Sequence, residues 1–301
     1  MAALIGDSMK YTNKFNLPES IVNAVKRPTY SRGKSQISVT QLINAPQIVA
    51  LREKHNEDIE VDVSDQVWAL FGSAVHHILE QGASEKHLVE ERIFTSVGEW
   101  ILSGAVDVQI LHADGTRTIQ DYKVTRAYSV MNEKKEWEEQ LNIYGWLVRT
   151  VKKTVVKNLQ IIAIIRDWNR NDAARNPDYP PCAFHTLDIP LWDVERAEQF
   201  VVDRLNAHQH AYAELELTGT LPTCTSEDMW ERPTTYAVMK KGNVRATKVY
   251  PIREEAEVHA KQLGAEVVVR QGERIRCANF CDVKPYCNQW RSYEANLASA
   301  A

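Results

Sequence analysis

No stretch of this chain stays apolar for the length a bilayer demands, and Met1 to Lys10 lacks the apolar segment of a secretion signal. A spanning helix needs about 20 such residues, so the expectation is a soluble cytosolic protein (host cytosol if a phage encodes it). An excess of positive charge is also lacking. The net charge is −4, which gives no global attraction to nucleic acid and leaves such binding to a local basic patch. Cysteine is scarce, at five residues in 301. In a cytosolic protein so few cysteines point to metal or catalysis rather than to disulfides. Internal repeats and low-complexity tracts are missing as well. What is present is ordinary globular material, 44% hydrophobic and 25% charged, enough for one large domain or a core with an appended module.

The stretch from Gly104 to Lys123 organises the rest. Two β-branched, alternating runs flank Asp114-Gly115, a strong hairpin signal. Asp121 and Lys123 stand two apart, so both side chains leave one face of the second strand. A two-residue loop would set Asp107 opposite Tyr122, on the wrong face. A three-residue loop, Ala113-Asp114-Gly115 with Gly115 left-handed, sets Asp107 opposite Asp121. Glycine at the third loop position favours the second register. Two carboxylates gathered in this way supply hard oxygen ligands for Mg²⁺ or Mn²⁺. The Lys123 ammonium can then orient a nucleophilic water or stabilise charge on a phosphate. The competing reading is a solvated hairpin face with a surface ion pair.

Elements on either side are readable by period. Residues 1–36 read as a polar, irregular arm with a basic stretch from Lys26 to Lys34, suited to touching phosphates. Thr40 is the expected cap of a helix over Gln41–Lys54, and Asn56–Asp65 reads as an acidic loop. Val67–Gln81 reads as an amphipathic helix in which His76 and Glu80 share a face. Gly72 inside it suggests a close backbone approach. His76 is a candidate nitrogen ligand for the hairpin metal. His87–Thr95 reads as a strand, where either Glu90 or Glu91 could face the site and exposure is the expectation for both. Glu133–Val151 is a second helix, and it projects Gln140 and Tyr144 from one face, either to contact a nucleic-acid backbone or to brace the metal site. Thr154–Trp168 and Phe184–Ile189 read as strands, Asn169–Pro181 as a loop, and Trp192–Leu217 as a long helix. Alternating helices and strands imply an α/β core with a mixed central sheet flanked by helices.

From Leu221 the character changes. A small β-β-α-β element spans Tyr236–Arg270 and lies between Cys224 and a run carrying Cys277, Cys281 and Cys287. These four thiols suit one four-thiolate site holding zinc or an iron-sulfur cluster, and spacing alone does not choose between them. The expected domains are therefore an arm over 1–36, a core over 37–222 and a cysteine module over 223–301.

With these residues assembled, the chain resembles a RecB-like member of the PD-(D/E)XK nuclease superfamily. It is especially similar to the cysteine-bearing branch among phage exonucleases and CRISPR adaptation nucleases. Gly72-x-x-x-His76 resembles the helix motif whose histidine binds metal, and Gly104-Ala-Val-Asp107 the motif of the first carboxylate. Asp121-Tyr122-Lys123 resembles the (D/E)-x-K motif, and Gln140-x-x-x-Tyr144 the closing helix motif. The resemblance runs from about Val39 to Trp290. It implies a restriction-endonuclease-like core and metal-dependent hydrolysis of DNA, expected to be exonucleolytic and to serve recombination, repair or processing. Mg²⁺ or Mn²⁺ would be held by His76, Asp107, Asp121 and the Tyr122 carbonyl, with Lys123 acting on water and Gln140 and Tyr144 positioning the strand. It also implies a 4Fe-4S cluster, with zinc as the alternative. In that branch the first cysteine precedes the histidine motif in a Cys-Pro context. Here Asn44-Ala45-Pro46 stands in its place, so Cys224 is the candidate fourth ligand, ahead of Cys182. The expected partner is DNA and not a membrane, with self-association or a recombination partner protein open. The alternative is a catalytically inactive DNA-binding accessory protein that keeps the fold.

Overall fold

Secondary structure follows from where the apolar periods start and stop. The structure, a computed structural model, describes residues 9–27, 32–132 and 134–300. It divides into two compact units, Met1–Leu221 and Pro222–Ala301, close to the boundary that the composition suggests. Among the described residues no helix is long and apolar enough to cross a membrane.

The first unit opens with β1 (Lys10–Thr12) and α1 (Glu19–Lys26), so the arm is not irregular where it is described. Pro28–Ser31, in the middle of the basic stretch, lie outside the described residues. Next come β2 (Ile37–Ser38), α2 (Val39–Leu42) and α3 (Pro46–Lys54). The single helix expected after Thr40 is thus two helices. Ser38, not Thr40, is the cap. Its hydroxyl accepts from the Gln41 N–H while the Gln41 side chain accepts from the Ser38 N–H, a reciprocal capping box. Pro46 starts the second helix because its ring fits the first helical position and cannot continue a preceding turn. The expected acidic loop contains β3 (Glu60–Asp62), paired in parallel with β1, and a 3₁₀ turn over Val63–Gln66. Asp62 gives that loop its order: it accepts from the Thr12 hydroxyl and from the Lys14 and Ser64 N–H groups.

The helix α4 (Val67–Gln81) runs as expected, but none of its residues is buried. Trp68, Phe71 and Ile78 are exposed. Gly72 makes no close approach, since a Cβ there would meet nothing within 4 Å. The strands β4 (His87–Val97), β5 (Trp100–Leu111) and β6 (Arg117–Thr125) follow, then α5 (Ala127–Met131), α6 (Lys135–Lys152), β7 (Val156–Ile165), α7 (Arg170–Arg175), β8 (Phe184–Ile189) and α8 (Val194–Thr218). The short α7 occupies the expected loop because the Asn169 side chain accepts from the Asn171 and Asp172 N–H groups and caps it. The sheet is mixed, in the order β2-β5-β6-β7-β8, with β4 along the other edge of β5. α6 packs across it and places Leu141, Tyr144, Leu147 and Val148 on Leu102, Val106, Ile119, Leu159 and Ile161. These spacings of three and four residues form the apolar stripe that a helix on a sheet requires. This is the α/β architecture that the alternation implies.

One edge of β5 is shared. Its residues Leu102 and Ser103 pair with β2, whereas Val108 to Leu111 pair with β6. Gly104 to Asp107 lie in the fork between them. The hairpin loop has the three-residue form. His112 donates its N–H to the Thr116 carbonyl, and Gly115 has φ +80°. Val108 therefore faces Gln120, and Asp107 and Asp121 come next in line, where the ladder ends.

The second unit holds β9 (Glu231–Arg232), β10 (Thr235–Met239), β11 (Lys248–Tyr250), α9 (Arg253–Leu263), β12 (Glu266–Arg270), β13 (Glu273–Arg274), α10 (Ile275–Asn279) and α11 (Asn288–Ala300). β10 is central between β11 and β12, with α9 packed on Val238. β9 pairs with β13.

Candidate metal centre

The fork in the sheet decides which groups meet. Asp107 sits at its apex, nearly buried, and its Oδ2 accepts the Tyr122 N–H at 2.9 Å. The carboxylate thus takes the place of a ladder bond that the parted strands no longer make. α4 packs against β6 and brings in His76. Its Nδ1 lies 3.5 Å from Asp107 Oδ2 and 3.7 Å from Glu90 Oε1. Its Nε2 donates to the Tyr122 carbonyl at 2.9 Å, and the two rings meet edge to face at 5.8 Å. One donor atom each from His76, Glu90 and Asp107 lie within 4.8 Å of one another.

Glu90 is the residue that sequence reasoning left unresolved. Neighbouring glutamates on a strand point to opposite faces, so period alone could not choose one. In the structure Glu90 has φ +50°, a left-handed conformation that costs a non-glycine residue about 1 kcal/mol or more. Glu91 is engaged elsewhere, accepting from Lys152 at 2.5 Å and from Gln109 at 2.7 Å. The structure sets Glu90 in line with Asp107, since the pairs Val89–Val108 and Glu91–Val106 bracket the two, a register with no mark in the local sequence.

Asp121 is 1% exposed, and neither of its oxygens receives a well-aligned hydrogen bond. The Lys123 ammonium lies 2.6 Å from its Oδ2, which places the two side chains on one face. Asp121 stands outside the tighter His76–Glu90–Asp107 group but close enough to act on both His76 and Asp107. The electrostatics are those of crowded acids. Burial first, then the Asp121 charge, raises the Asp107 pKa above the ordinary carboxylate range. The Glu90 carboxylate, followed by Asp107, raises that of His76. A proton on His76 thus supplies the positive charge that these carboxylates call for. The donors are carboxylate oxygens, one backbone carbonyl and one imidazole, and a buried carboxylate beside them lacks aligned partners. That chemistry fits a small, hard divalent cation such as Mg²⁺ or Mn²⁺.

Gln140 and Tyr144 lie on α6, both buried, with Gln140 Nε2 donating to Tyr144 Oη at 3.0 Å. A Cβ on Gly104 would stand 2.9 Å from Tyr144 Cε1 and 2.8 Å from Leu147 Cδ1. The glycine lets α6 close on β5, and the Gln140–Tyr144 pair braces the strand that carries Asp107.

In the second unit Cys224, Cys277, Cys281 and Cys287 form no disulfide. Cys224 is fixed by Gln289, which accepts its N–H and donates to its carbonyl, both at 2.9 Å. Cys287 is buried, and the Trp290 N–H points to its sulfur at 3.4 Å. Burial first, then the Asp228 charge, pushes the Cys224 thiol up to about 12. The buried apolar side chains of this unit are mostly small, among them Ala237, Val238, Ala256 and Ala260. A small unit with a thin core commonly draws stability from a metal. Four cysteines in such a unit supply the donor chemistry that a thiolate-bound group requires. Cys182 belongs to the first unit, is exposed, and donates its S–H to the Phe184 carbonyl.

No protein-family model matches the chain, and no curated protein matches it significantly. Among solved structures it is similar to one described as the crystal structure of SSO0001, at 17% identity and a TM-score of 0.45, covering 62% of this chain and 83% of that one. A likeness at that level carries no argument about activity.

Proposed function

We propose that the chain is a metal-dependent deoxyribonuclease, an exonuclease that serves DNA recombination, repair or processing. The observation that carries this is the His76–Glu90–Asp107 donor group beside the buried Asp121–Lys123 pair, all at the fork of one sheet. His76, Glu90, Asp107 and the Tyr122 carbonyl would hold Mg²⁺ or Mn²⁺, with Asp121 completing the set. A bound cation of this kind lowers the pKa of water and polarises a phosphoryl oxygen. Lys123 is a cation paired with Asp121 and is no candidate metal ligand. Held by Asp121, it orients the attacking water and meets charge developing on the phosphate. Asp107 also accepts the Tyr122 N–H, which fixes the backbone just before the peptide that carries the Tyr122 carbonyl.

The four cysteines would bind a 4Fe-4S cluster. Among the described residues no three thiols come within 4.8 Å of one another. A tetrahedral zinc with Zn–S of about 2.3 Å is the alternative occupant of the same four thiolates. The test uses end-labelled single- and double-stranded DNA with Mn²⁺, Mg²⁺ or a chelator. Wild type should shorten the label only with metal. Lys123→Ala should lose about a hundredfold or more in rate, with Mn²⁺ occupancy by calorimetry unchanged. Cleavage by Lys123→Ala at the wild-type rate would sink the nuclease reading.

A further inference from the structure

The hairpin of the second unit concentrates charge of one sign. From Thr235 to Tyr250 the sequence carries Lys240, Lys241, Arg245 and Lys248, four basic residues and no acidic one, in a chain whose net charge is −4. All four are exposed. The hairpin is ordered: β10 and β11 pair from Val238–Lys248 to Tyr236–Tyr250, Thr247 donates to the Val238 carbonyl, and Asn243 donates to the Lys240 carbonyl. Four exposed cations on one ordered hairpin make a local positive field that attracts an anionic partner. Among the described residues none of the four is in an ion pair with an acid, although Glu266 stands opposite Met239 beside Lys240. Glu254 and Glu255 follow on α9, and Glu257 is taken by Arg253 at 2.8 Å. Lys248 instead lies 4.7 Å over the Tyr250 ring. At the loop Val244 is 94% exposed, an apolar side chain set among the cations with nothing to cover it.

We infer that this hairpin is a second DNA contact, in which Lys240, Lys241, Arg245 and Lys248 bind backbone phosphates and Val244 rests against sugars and base edges. The choice of DNA as partner rests on the nuclease reading of the first unit. The cations and the apolar tip rest on nothing but the hairpin itself. Phosphates answer the charge, and an apolar residue between basic ones is how proteins set a wedge against a nucleic acid.

The test is fluorescence anisotropy of labelled duplex and single-stranded DNA with the full chain, in chelator so that nothing is cleaved, over a range of salt. Each phosphate contact contributes about 0.9 to the slope of log K against log salt on duplex DNA and about 0.7 on single strands. Replacing all four residues by Gln should flatten the slope by about 3 and weaken binding at least about tenfold at physiological salt. Val244→Glu, a change at a solvent-exposed tip, should weaken binding with the fold intact by circular dichroism. Glu254→Gln with Glu255→Gln should not weaken it. Unchanged affinity and slope in the four-residue variant overturn the inference. So does a wild-type protein that ignores DNA, or one whose hairpin binds phosphatidylserine vesicles instead. A wild type that binds DNA with this slope but never cleaves it sinks the nuclease reading and leaves the hairpin assignment standing.

Discussion

Lys123, His76 and Glu90 reach one spot from three different elements, and each was legible to a different degree. Asp107, Asp121 and Lys123 could be placed together from sequence because a glycine in the third loop position selects one hairpin register. Glu90 could not, because strand alternation offers Glu90 and Glu91 equally and only the left-handed turn at Glu90 breaks the tie. The structure makes the contrast testable. Loss of even an outer partner of a metal ligand costs about 10–100-fold in metal affinity. Glu90→Gln should therefore weaken Mn²⁺ binding by at least that much in a calorimetric titration. Glu91→Gln should leave Mn²⁺ affinity alone and lower thermal stability, since it removes the acid that answers Lys152. His76→Ala should weaken Mn²⁺ binding, whereas His77→Ala should not. His77 is exposed and its ring faces Glu80 and Gln81. Equal losses at the two histidines would count against the ligand assignment.

Helix joints carry the features that periodicity does not reach. The break between α2 and α3 is set by Pro46, and its free carbonyls are taken from a distant element. Arg204 on α8 donates to the Leu42 and Asn44 carbonyls, and His208 Nε2 donates to the Leu42 carbonyl at 3.1 Å. A pairing across more than 150 residues leaves no trace in local sequence, and His208 reads there only as part of a helix face. Its burial is complete. Burial, helped by the Arg204 charge and opposed by the carbonyl bonds, lowers the His208 pKa to about 4. In the unfolded chain it is about 6.5. The unfolded state therefore binds a proton that the folded state refuses between these values. Stability from this joint is fully present above about pH 6.5 and is lost as pH falls towards 4, by on the order of 3 kcal/mol. Urea unfolding followed by circular dichroism should show that loss in the wild type. His208→Gln, which cannot titrate, should be less stable at neutral pH but flatter across the same window. An equally steep acid loss in the variant would place the titrating group elsewhere.

At the scale of the whole chain, the two units are held together internally by different means. The first has a layered core in which α6 and the sheet bury large aliphatic side chains. The boundary near Leu221 was legible because β-branched and helical periods give way there to short strands and cysteines. The second unit buries mostly small side chains around Val238 and carries Cys224, Cys277, Cys281 and Cys287. If a metal group supplies what that core lacks, its loss should unfold this unit and spare the other, because metal binding is then folding free energy. Protein purified without oxygen should be brown and carry about four irons per chain. Cys277→Ser or Cys224→Ser should bleach it, and limited proteolysis should then cut within 222–301 while residues 32–221 stay protected. Cys182→Ser should change neither colour nor cleavage, since that thiol lies in the first unit and already donates to Phe184. Stoichiometric zinc in a colourless protein would keep the thiolate site and remove the cluster. Full colour in Cys224→Ser would show that the fourth ligand lies elsewhere. Proteolysis that spreads into the first unit would show that the metal stabilises both.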